Sequence, residues 1–197
     1  MSILWPSRDE RHADLVRRAR RGERRAFRRL FDELHDPVRR YVFRRVINKA
    51  DAEDLVGKVF ERVVERLDQF DPSRGALRPW VLRIARNAII DHLRTRRVFA
   101  PFDTLGDPLP TEARDPLDDL IERERVELLA DLVRELPAET KELIALRYGD
   151  GLRHREIAAL QGLSVAAVKQ RVSRARRELK ARLHAREREL EAPDYAV

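Results

Sequence analysis

The segment from Ser164 to Leu179 carries side chains that could read DNA bases. If the segment is helical, its apolar residues form one stripe, made of Val165, Val168, Val172, Ala175 and Leu179. The opposite face then carries Gln170, Ser173, Arg174 and Arg177, with Lys169 and Arg171 at its edges. Arg can bind guanine and Gln can bind adenine through paired hydrogen bonds in the major groove. The pattern predicts a recognition helix.

A shorter helix and a turn precede this segment. Ile157, Ala158 and Leu160 have the spacing of one buried side of a helix, and Gly162 supplies a turn. Ser164 can cap the helix that follows, because its hydroxyl can accept a hydrogen bond from a free backbone N–H. Together the pieces predict a helix-turn-helix, with a purely structural helical hairpin as the alternative.

A second polar face is predicted on a helix from Leu77 to Arg97. Its buried side comprises Leu77, Trp80, Val81, Ile84, Ala85, Ala88 and Ile89, and its polar side comprises Arg83, Arg86, Asn87, Arg94 and Arg97. Like charges on one helix face repel each other unless a polyanion neutralises them. The face therefore suits a phosphate backbone, and the Asn87 amide could read a base edge. A solvated face is the alternative interpretation.

A third amphipathic helix is predicted from residue 50 to residue 67. Its apolar stripe comprises Leu55, Val59, Phe60, Val63 and Leu67, and the polar residues Asp54, Lys58, Glu61 and Glu65 lie largely opposite. Such a helix either presents an ordinary solvated face or docks a protein partner. The residue pattern alone leaves both interpretations open.

Residues that could support catalysis are scattered. The histidines are His12, His35, His92, His154 and His184, and their spacing is not that of metal ligands. The sequence near them contains no Gly-rich phosphate loop and no nucleophile motif. The absence of cysteine excludes disulfides and thiolate metal sites and is compatible with a reducing compartment. We therefore expect no catalytic residue, no metal and no cofactor, although an enzyme remains the rival class.

Charge and breaker residues divide the chain. Residues 1–99 have a net charge of +10, residues 100–130 of −6 and residues 131–197 of +3. Helical periodicity covers residues 9–97, with breakers expected at Gly22, Pro37, Asn48 and residues 71–75, and it resumes near Leu117 with a break at Pro137. Four prolines lie between residues 99 and 116, as in an extended linker.

The predicted fold class is all-α, with two small helical domains joined by an acidic, Pro-containing linker and a helix-turn-helix in the second domain. The expected bounds are 1–99, a linker at 100–117, 118–190 and a frayed tail at 191–197. Nowhere do about 18 uncharged apolar residues run together, as a membrane span requires. A soluble, cytoplasmic protein without membrane contact of its own is expected.

In this order, the segments resemble the extracytoplasmic-function (group 4) sigma factors of the sigma-70 family over roughly residues 10–185. The matching stretches are Ala26-Phe27 with Leu30-Phe31, Ala52-Glu53-Asp54-Leu55-Val56 with Val59-Phe60, Trp80 to Asn87 with Asp91 to Arg94, Leu136-Pro137, Leu146-Arg147-Tyr148 and the helix-turn-helix. Four positions depart from the usual residue of the family, at Gly57, Val64, Val81 and Ala167.

The resemblance implies a sigma factor that directs promoter-specific initiation without catalysis of its own. It implies binding of core RNA polymerase, at its clamp coiled coil, through Asp51, Asp54, Leu55, Lys58 and Glu61. It implies minus-10 recognition and melting by Ser73, Arg74, Gly75, Ala76, Trp80, Arg83, Asn87 and Arg94. It implies minus-35 recognition by Arg147, Lys169, Gln170, Arg171, Ser173, Arg174 and Arg177.

Further implied partners are the polymerase flap, promoter DNA and an anti-sigma factor. The nearest rival interpretation is a dimeric regulator that uses the same helix-turn-helix on a palindromic operator. That interpretation leaves the first domain without a role.

Overall fold

A computed structural model describes residues 7–96 and 116–191, which form helices and turns without a strand. The helices are α1 (Arg8–Arg20), α2 (Arg24–Phe43), α3 (Lys49–Arg66), α4 (Leu77–Arg96), α5 (Pro116–Arg134), α6 (Ala138–Ile144), α7 (His154–Gln161) and α8 (Val165–Glu191). The predicted all-α class with two helical regions is confirmed. Most of the predicted linker and all but the first residue of the predicted tail lie outside the described residues.

Several helices begin at a side chain that accepts a backbone hydrogen bond. Ser7 and Glu10 form a reciprocal capping box at α1, in which the Ser7 hydroxyl accepts from the Glu10 N–H at 3.3 Å and the Glu10 carboxylate accepts from the Ser7 N–H at 2.6 Å. Hydrogen bonds to the Glu10 carboxylate from the Ser7 N–H and, to a smaller extent, from the Ser7 side chain lower the pKa of Glu10. Asn48 caps α3, and Ser164 accepts from the Ala167 N–H at 3.1 Å, which confirms the predicted cap of α8.

One compact unit holds α1 to α4 together with most of α7. Within it α1 packs on α2, α2 packs on α3 and α4, and α3 packs on α4. The core of these four helices consists of side chains that are almost entirely shielded from water, including Val16, Val38, Tyr41, Val42, Ala52, Val59, Leu77, Val81, Leu82 and Ala85. Burial of these apolar side chains stabilises the unit at about 25 cal/mol per Å² removed from water.

The second compact unit contains α5, α6 and α8. Both α5 and α6 pack against α8. Their shared core comprises Leu132, Val133, Leu136, Ile144, Ala175 and Leu179, with Leu183 packed at its edge. The predicted break at Pro137 is confirmed, because Pro137 stands immediately before α6. None of the helices in the described part of the chain is long and apolar enough to cross a bilayer.

The prediction that Pro37 breaks the first helical region is wrong. It lies inside α2, which runs without interruption from Arg24 to Phe43. An interior proline removes one helical hydrogen bond and costs about 3 kcal/mol. Leu34, Val38 and Tyr41 around it are each at most 3% exposed. Burial of this apolar face outweighs the local penalty.

Gly57 allows a test of local helix stability. It lies within α3 and is exposed, and a Cβ atom added there would meet nothing within 4 Å. We expect Gly57→Ala to raise the free energy of unfolding by about 0.5–1 kcal/mol, because alanine loses less backbone entropy in a helix. Urea denaturation followed by circular dichroism measures the change.

Gly162→Ala serves as the control with the opposite sign. Gly162 has a φ of +69° in the turn before α8, a conformation that costs L-residues about 1–2 kcal/mol. The prediction for α3 is wrong if Gly57→Ala destabilises the protein.

Candidate nucleic-acid interface

The segment predicted as a recognition helix forms α8, and its polar side is exposed. Lys169, Gln170, Arg171, Ser173, Arg174 and Arg177 are all exposed. On the opposite side Val168, Val172, Ala175 and Leu179 are at most 7% exposed. Because the apolar stripe is buried, the helical repeat turns the six polar positions toward solvent. We refer to these six residues as the α8 polar face.

Val165 is a correction to the predicted stripe. Its side chain is 41% exposed, so it does not belong to the core. Val165 is the first residue of α8, directly after the capping Ser164. The buried stripe therefore begins one turn later, at Val168.

Arg147 lies in a short π-helical turn, Ala145–Gly149, that follows α6. Its guanidinium donates a hydrogen bond to the Leu152 carbonyl at 3.1 Å and lies 5.8 Å from the centre of the Tyr148 ring. The side chain is half-buried. Arg147 thus holds the chain before α7, a structural contact that the sequence did not predict, and its role in minus-35 recognition stays a prediction.

His154, at the start of α7, has a pKa below the ordinary value for histidine. Burial lowers its pKa, and the positive charges of Arg147 and Lys169 lower it further. A proton on His154 would add a third cation to this neighbourhood. Both effects favour the neutral imidazole in this basic region.

The predicted polar face of α4 is also exposed. Arg83, Arg86, Asn87 and Arg94 lie outward, and we call them the α4 polar face. Arg97 lies outside the described residues. The predicted buried side is confirmed except that Trp80 is only half-buried, and two further residues, Leu82 at 1% and Arg78 at 7% exposure, are buried as well.

The loop of residues 71–76 is exposed or half-exposed and leads into α4. The Asp71 carboxylate accepts hydrogen bonds from the Ser73 N–H at 2.9 Å and from the Ser73 hydroxyl at 2.7 Å. These bonds lower the pKa of Asp71, with a smaller contribution from the Arg74 charge. Gly75 has a φ of +153°, which other residues rarely adopt. The loop therefore has a defined conformation stabilised by its own residues.

Two aromatic rings connect the start of this loop to α4. The rings of Phe70 and Trp80 have centroids 5.5 Å apart at an angle of 56°. Phe70 is 5% exposed, so it anchors the chain before the loop. The loop residues Ser73, Arg74, Gly75 and Ala76 and the outward side of α4 thus belong to one part of the same unit.

On α3 the predicted polymerase-contact residues separate into two groups. Asp54, Lys58 and Glu61 are exposed. The Asp51 side chain is only 14% exposed, and its carboxylate lies 3.8 Å from His92 Nε2. Leu55 is 4% exposed and packs in the core. Leu55 is therefore corrected from a surface contact to a core residue, because the apolar stripe that contains it faces inward.

Arg20 is a residue whose position sequence analysis missed. It lies at the end of α1, and its guanidinium binds the backbone carbonyls of Leu67 and Phe70, immediately before the loop. The charged last turn of α1 also contains Arg17 and Arg18. No sequence signal distinguishes one of these arginines from the others, since the contact joins residues about 50 positions apart.

The described residues thus include α7, the turn at Gly162 and α8, in the order predicted for a helix-turn-helix, and a second exposed cationic face on α4. Such features are typical of helical nucleic-acid-binding proteins. Comparison with known proteins gives a specific assignment. The family model described as sigma-70 region 2 matches residues 30–98, and that of sigma-70 region 4 matches residues 127–179.

Individual relatives agree with this result. The chain is 37% identical over 171 residues to the ECF RNA polymerase sigma factor BldN of Streptomyces coelicolor, covering 86% of this chain and 64% of that protein. It is 30% identical to the ECF sigma factor SigM of Bacillus subtilis, covering 73% of this chain and 86% of SigM. A solved structure of CnrH in complex with the cytosolic domain of CnrY matches with a TM-score of 0.60 at 30% identity, covering 89% of this chain and 98% of CnrH.

The chain therefore belongs to the sigma-70 family and to its extracytoplasmic-function group. It spans just under two thirds of the length of BldN. The two matched regions occur in the same order as the two helical regions of the structure.

Arg174 provides a test of base reading by the α8 polar face. We expect Arg174→Ala to change which bases are preferred at the minus-35 element, because each lost bidentate base contact removes about 1–3 kcal/mol of discrimination. Selection of bound duplexes from a library with a randomised minus-35 element measures the preference.

Arg186→Ala is the matched control, because Arg186 is also an exposed arginine of α8 but lies about three helical turns beyond Arg174. It should keep the wild-type base preference. The same preference in Arg174→Ala would remove Arg174 from the reading set.

Proposed function

We propose that this chain is an RNA polymerase sigma factor that directs promoter-specific transcription initiation. It binds core polymerase, places the α8 polar face at the minus-35 element and places the α4 polar face with the loop of residues 71–76 at the minus-10 element. Core polymerase supplies the chemistry, and the chain supplies binding and DNA deformation. It acts in the cytoplasm, where polymerase and chromosome are found.

The observation that carries the proposal is the pairing of sigma-70 regions 2 and 4 in one chain, each with an exposed basic helix face. Phosphate contacts by the arginines position the DNA, and a few side chains select bases. Lys169, Gln170, Arg171, Ser173, Arg174 and Arg177, with Arg147, form the proposed minus-35 set. Ser73, Arg74, Gly75, Ala76, Trp80, Arg83, Asn87 and Arg94 form the proposed minus-10 set.

The proposed polymerase contact is the exposed part of α3, with Asp54, Lys58 and Glu61 as the principal residues and Asp51 at its edge. Core polymerase is engaged at its clamp coiled coil by the first region and at its flap by the second. An anti-sigma factor is a further proposed partner. The similar protein CnrH is found in complex with the cytosolic domain of CnrY, which supports control by a second protein.

The proposed domain bounds are 1–99 and 118–190, joined by a linker at 100–117 and followed by a tail. The family matches at residues 30–98 and 127–179 fall inside these bounds and support them. The linker is acidic, and charge repulsion from DNA keeps it off the promoter backbone.

Transcription by added core polymerase tests the function. With this chain, core polymerase should produce RNA from one start site on a linear promoter template, and without it the RNA should lack a defined start. A dimeric operator-binding regulator would not confer start-site selection on core polymerase. The linear templates are fragments of the chromosome. If none of the fragments tried gave start-specific RNA, the proposal would be refuted.

Asp54 tests the polymerase contact. We expect Asp54→Lys to weaken assembly with core polymerase about fivefold or more, because charge reversal in an interface costs more than 1 kcal/mol, while the variant stays folded. A fluorescence titration of core polymerase measures the affinity.

Asp36→Lys makes the same charge change on α2, where the side chain is 83% exposed, and should retain wild-type affinity for core polymerase. If Asp54→Lys also retained it, α3 would lose its assignment as the contact helix.

Asn87 tests the separation of DNA binding from DNA melting. In Asn87→Ala, holoenzyme should still bind duplex promoter through the second region, but open-complex formation should fall. A template mismatched across the minus-10 element should recover part of this loss, since extracting a base from a duplex costs a few kcal/mol that the mismatch removes. Permanganate footprinting of unpaired thymines measures opening.

The mismatched template is the internal control for activity of the variant. Opening of duplex promoter by Asn87→Ala at the wild-type level would exclude Asn87 from melting and leave it as a polar residue of α4.

A further inference from the structure

Arg20 connects the end of α1 to the chain segment just before the loop of residues 71–76. Its Nε donates to the Leu67 carbonyl at 3.1 Å, and its Nη2 donates to the same carbonyl at 2.6 Å and to the Phe70 carbonyl. The Arg20 side chain is 27% exposed, and Asp68 lies 3.6 Å away at its outer side. One guanidinium thus binds two carbonyls that are about 50 residues away in the sequence.

These carbonyls lie where α3 ends. Leu67 starts a short 3-10 helix, Leu67–Gln69, that directly follows α3. The Leu67 carbonyl accepts the Phe70 N–H at 3.2 Å, and Arg20 adds a charged donor to the same oxygen. Carbonyls near a helix C-terminus carry partial negative charge, which a cation stabilises, so Arg20 sets where the end of α3 lies relative to α1.

The position of the loop of residues 71–76 depends on this contact of Arg20. Phe70 immediately precedes Asp71, whose carboxylate accepts two hydrogen bonds from Ser73. The loop is therefore stiff within itself, and its location depends on its two ends. One end continues into α4, and the other is held by Arg20 through the backbone and by Trp80 through the Phe70 ring.

We propose that Arg20 is a positioning residue for minus-10 recognition, which holds the loop of residues 71–76 at the place where it receives an unpaired base. This inference rests on the proposed function. Arg20 itself contacts no base in this scheme and acts through the Leu67 and Phe70 carbonyls. The guanidinium is required because its planar fork presents several N–H groups in fixed directions, whereas a lysine ammonium is a flexible point charge.

The experiment compares Arg20→Lys with Arg17→Lys in full-length chain assembled with core polymerase. Both changes keep the charge of α1. Arg17 lies on the same helix with a side chain 66% exposed, and its recorded partner is Asp14 one turn away. Arg17→Lys should therefore behave as wild type.

The readout is base discrimination on templates that are already mismatched across the minus-10 element, with each of the four bases placed in turn at each non-template position. Arg20→Lys should lower the preference for the best base about fivefold or more, the size of a lost base contact. Affinity for core polymerase and for minus-35 duplex should stay at the wild-type level.

A double-mutant cycle with Asp71→Ala adds a second measurement. If Arg20 acts through the loop, the losses in base discrimination caused by Arg20→Lys and Asp71→Ala should be strongly non-additive. Full additivity would overturn the inference. If the lysine variant does not fold, Arg20→Gln, which keeps an amide NH2 but loses the charge, is compared with Arg17→Gln instead.

Unchanged discrimination in a folded Arg20 variant would overturn the inference and leave the proposed function intact. An equal loss of core affinity, minus-35 affinity and discrimination would also overturn it, because that result indicates general destabilisation. Failure of the wild-type chain to direct start-specific RNA would instead refute the proposed function, and this inference with it.

Discussion

Burial of one apolar stripe on each amphipathic helix is the constraint on which the rest of this structure depends. On α4, Val81 and Ala85 are fully buried, and the helical repeat then directs Arg83 and Asn87 outward. Because side-chain direction on a helix repeats every 3.6 residues, fixing the buried stripe also fixes the exposed one. The hydrophobic cores thereby position the helical side chains that the proposed function uses.

The exposed faces combine two kinds of interaction with DNA. Arginines at regular helical spacing supply a positive surface whose attraction to phosphates does not depend on base sequence and weakens with salt. Gln170 and Asn87 add amides that can both donate and accept, so they can distinguish base edges. Each basic face thus contains an amide suited to reading bases, and the same helix both positions the DNA and selects among sequences.

The loop before α4 shows how a small segment can become defined without a core of its own. Asp71 and Ser73 form its internal hydrogen bonds, while Arg20 and the Phe70–Trp80 ring pair hold the chain at its start. Exposed loops ordinarily sample many conformations, and ordering one costs backbone entropy. A loop that is already ordered in the free protein has lost part of this entropy during folding. Less entropy is then lost on binding, which favours recognition of an unpaired base.

Local pattern in the sequence was sufficient to predict the helices, the cap at Ser164, the break at Pro137 and most of the buried stripe of α8, because these features depend on residues within a few turns of one another. Packing decided the remainder. Pro37 stays inside α2 because the surrounding face is buried, Leu55 is in the core and Val165 is exposed at the start of its helix. The contact of Arg20 with the Leu67 and Phe70 carbonyls joins segments far apart in the chain. Such a contact depends on how α1 packs in three dimensions, so only the tertiary structure could distinguish Arg20 from its neighbouring arginines.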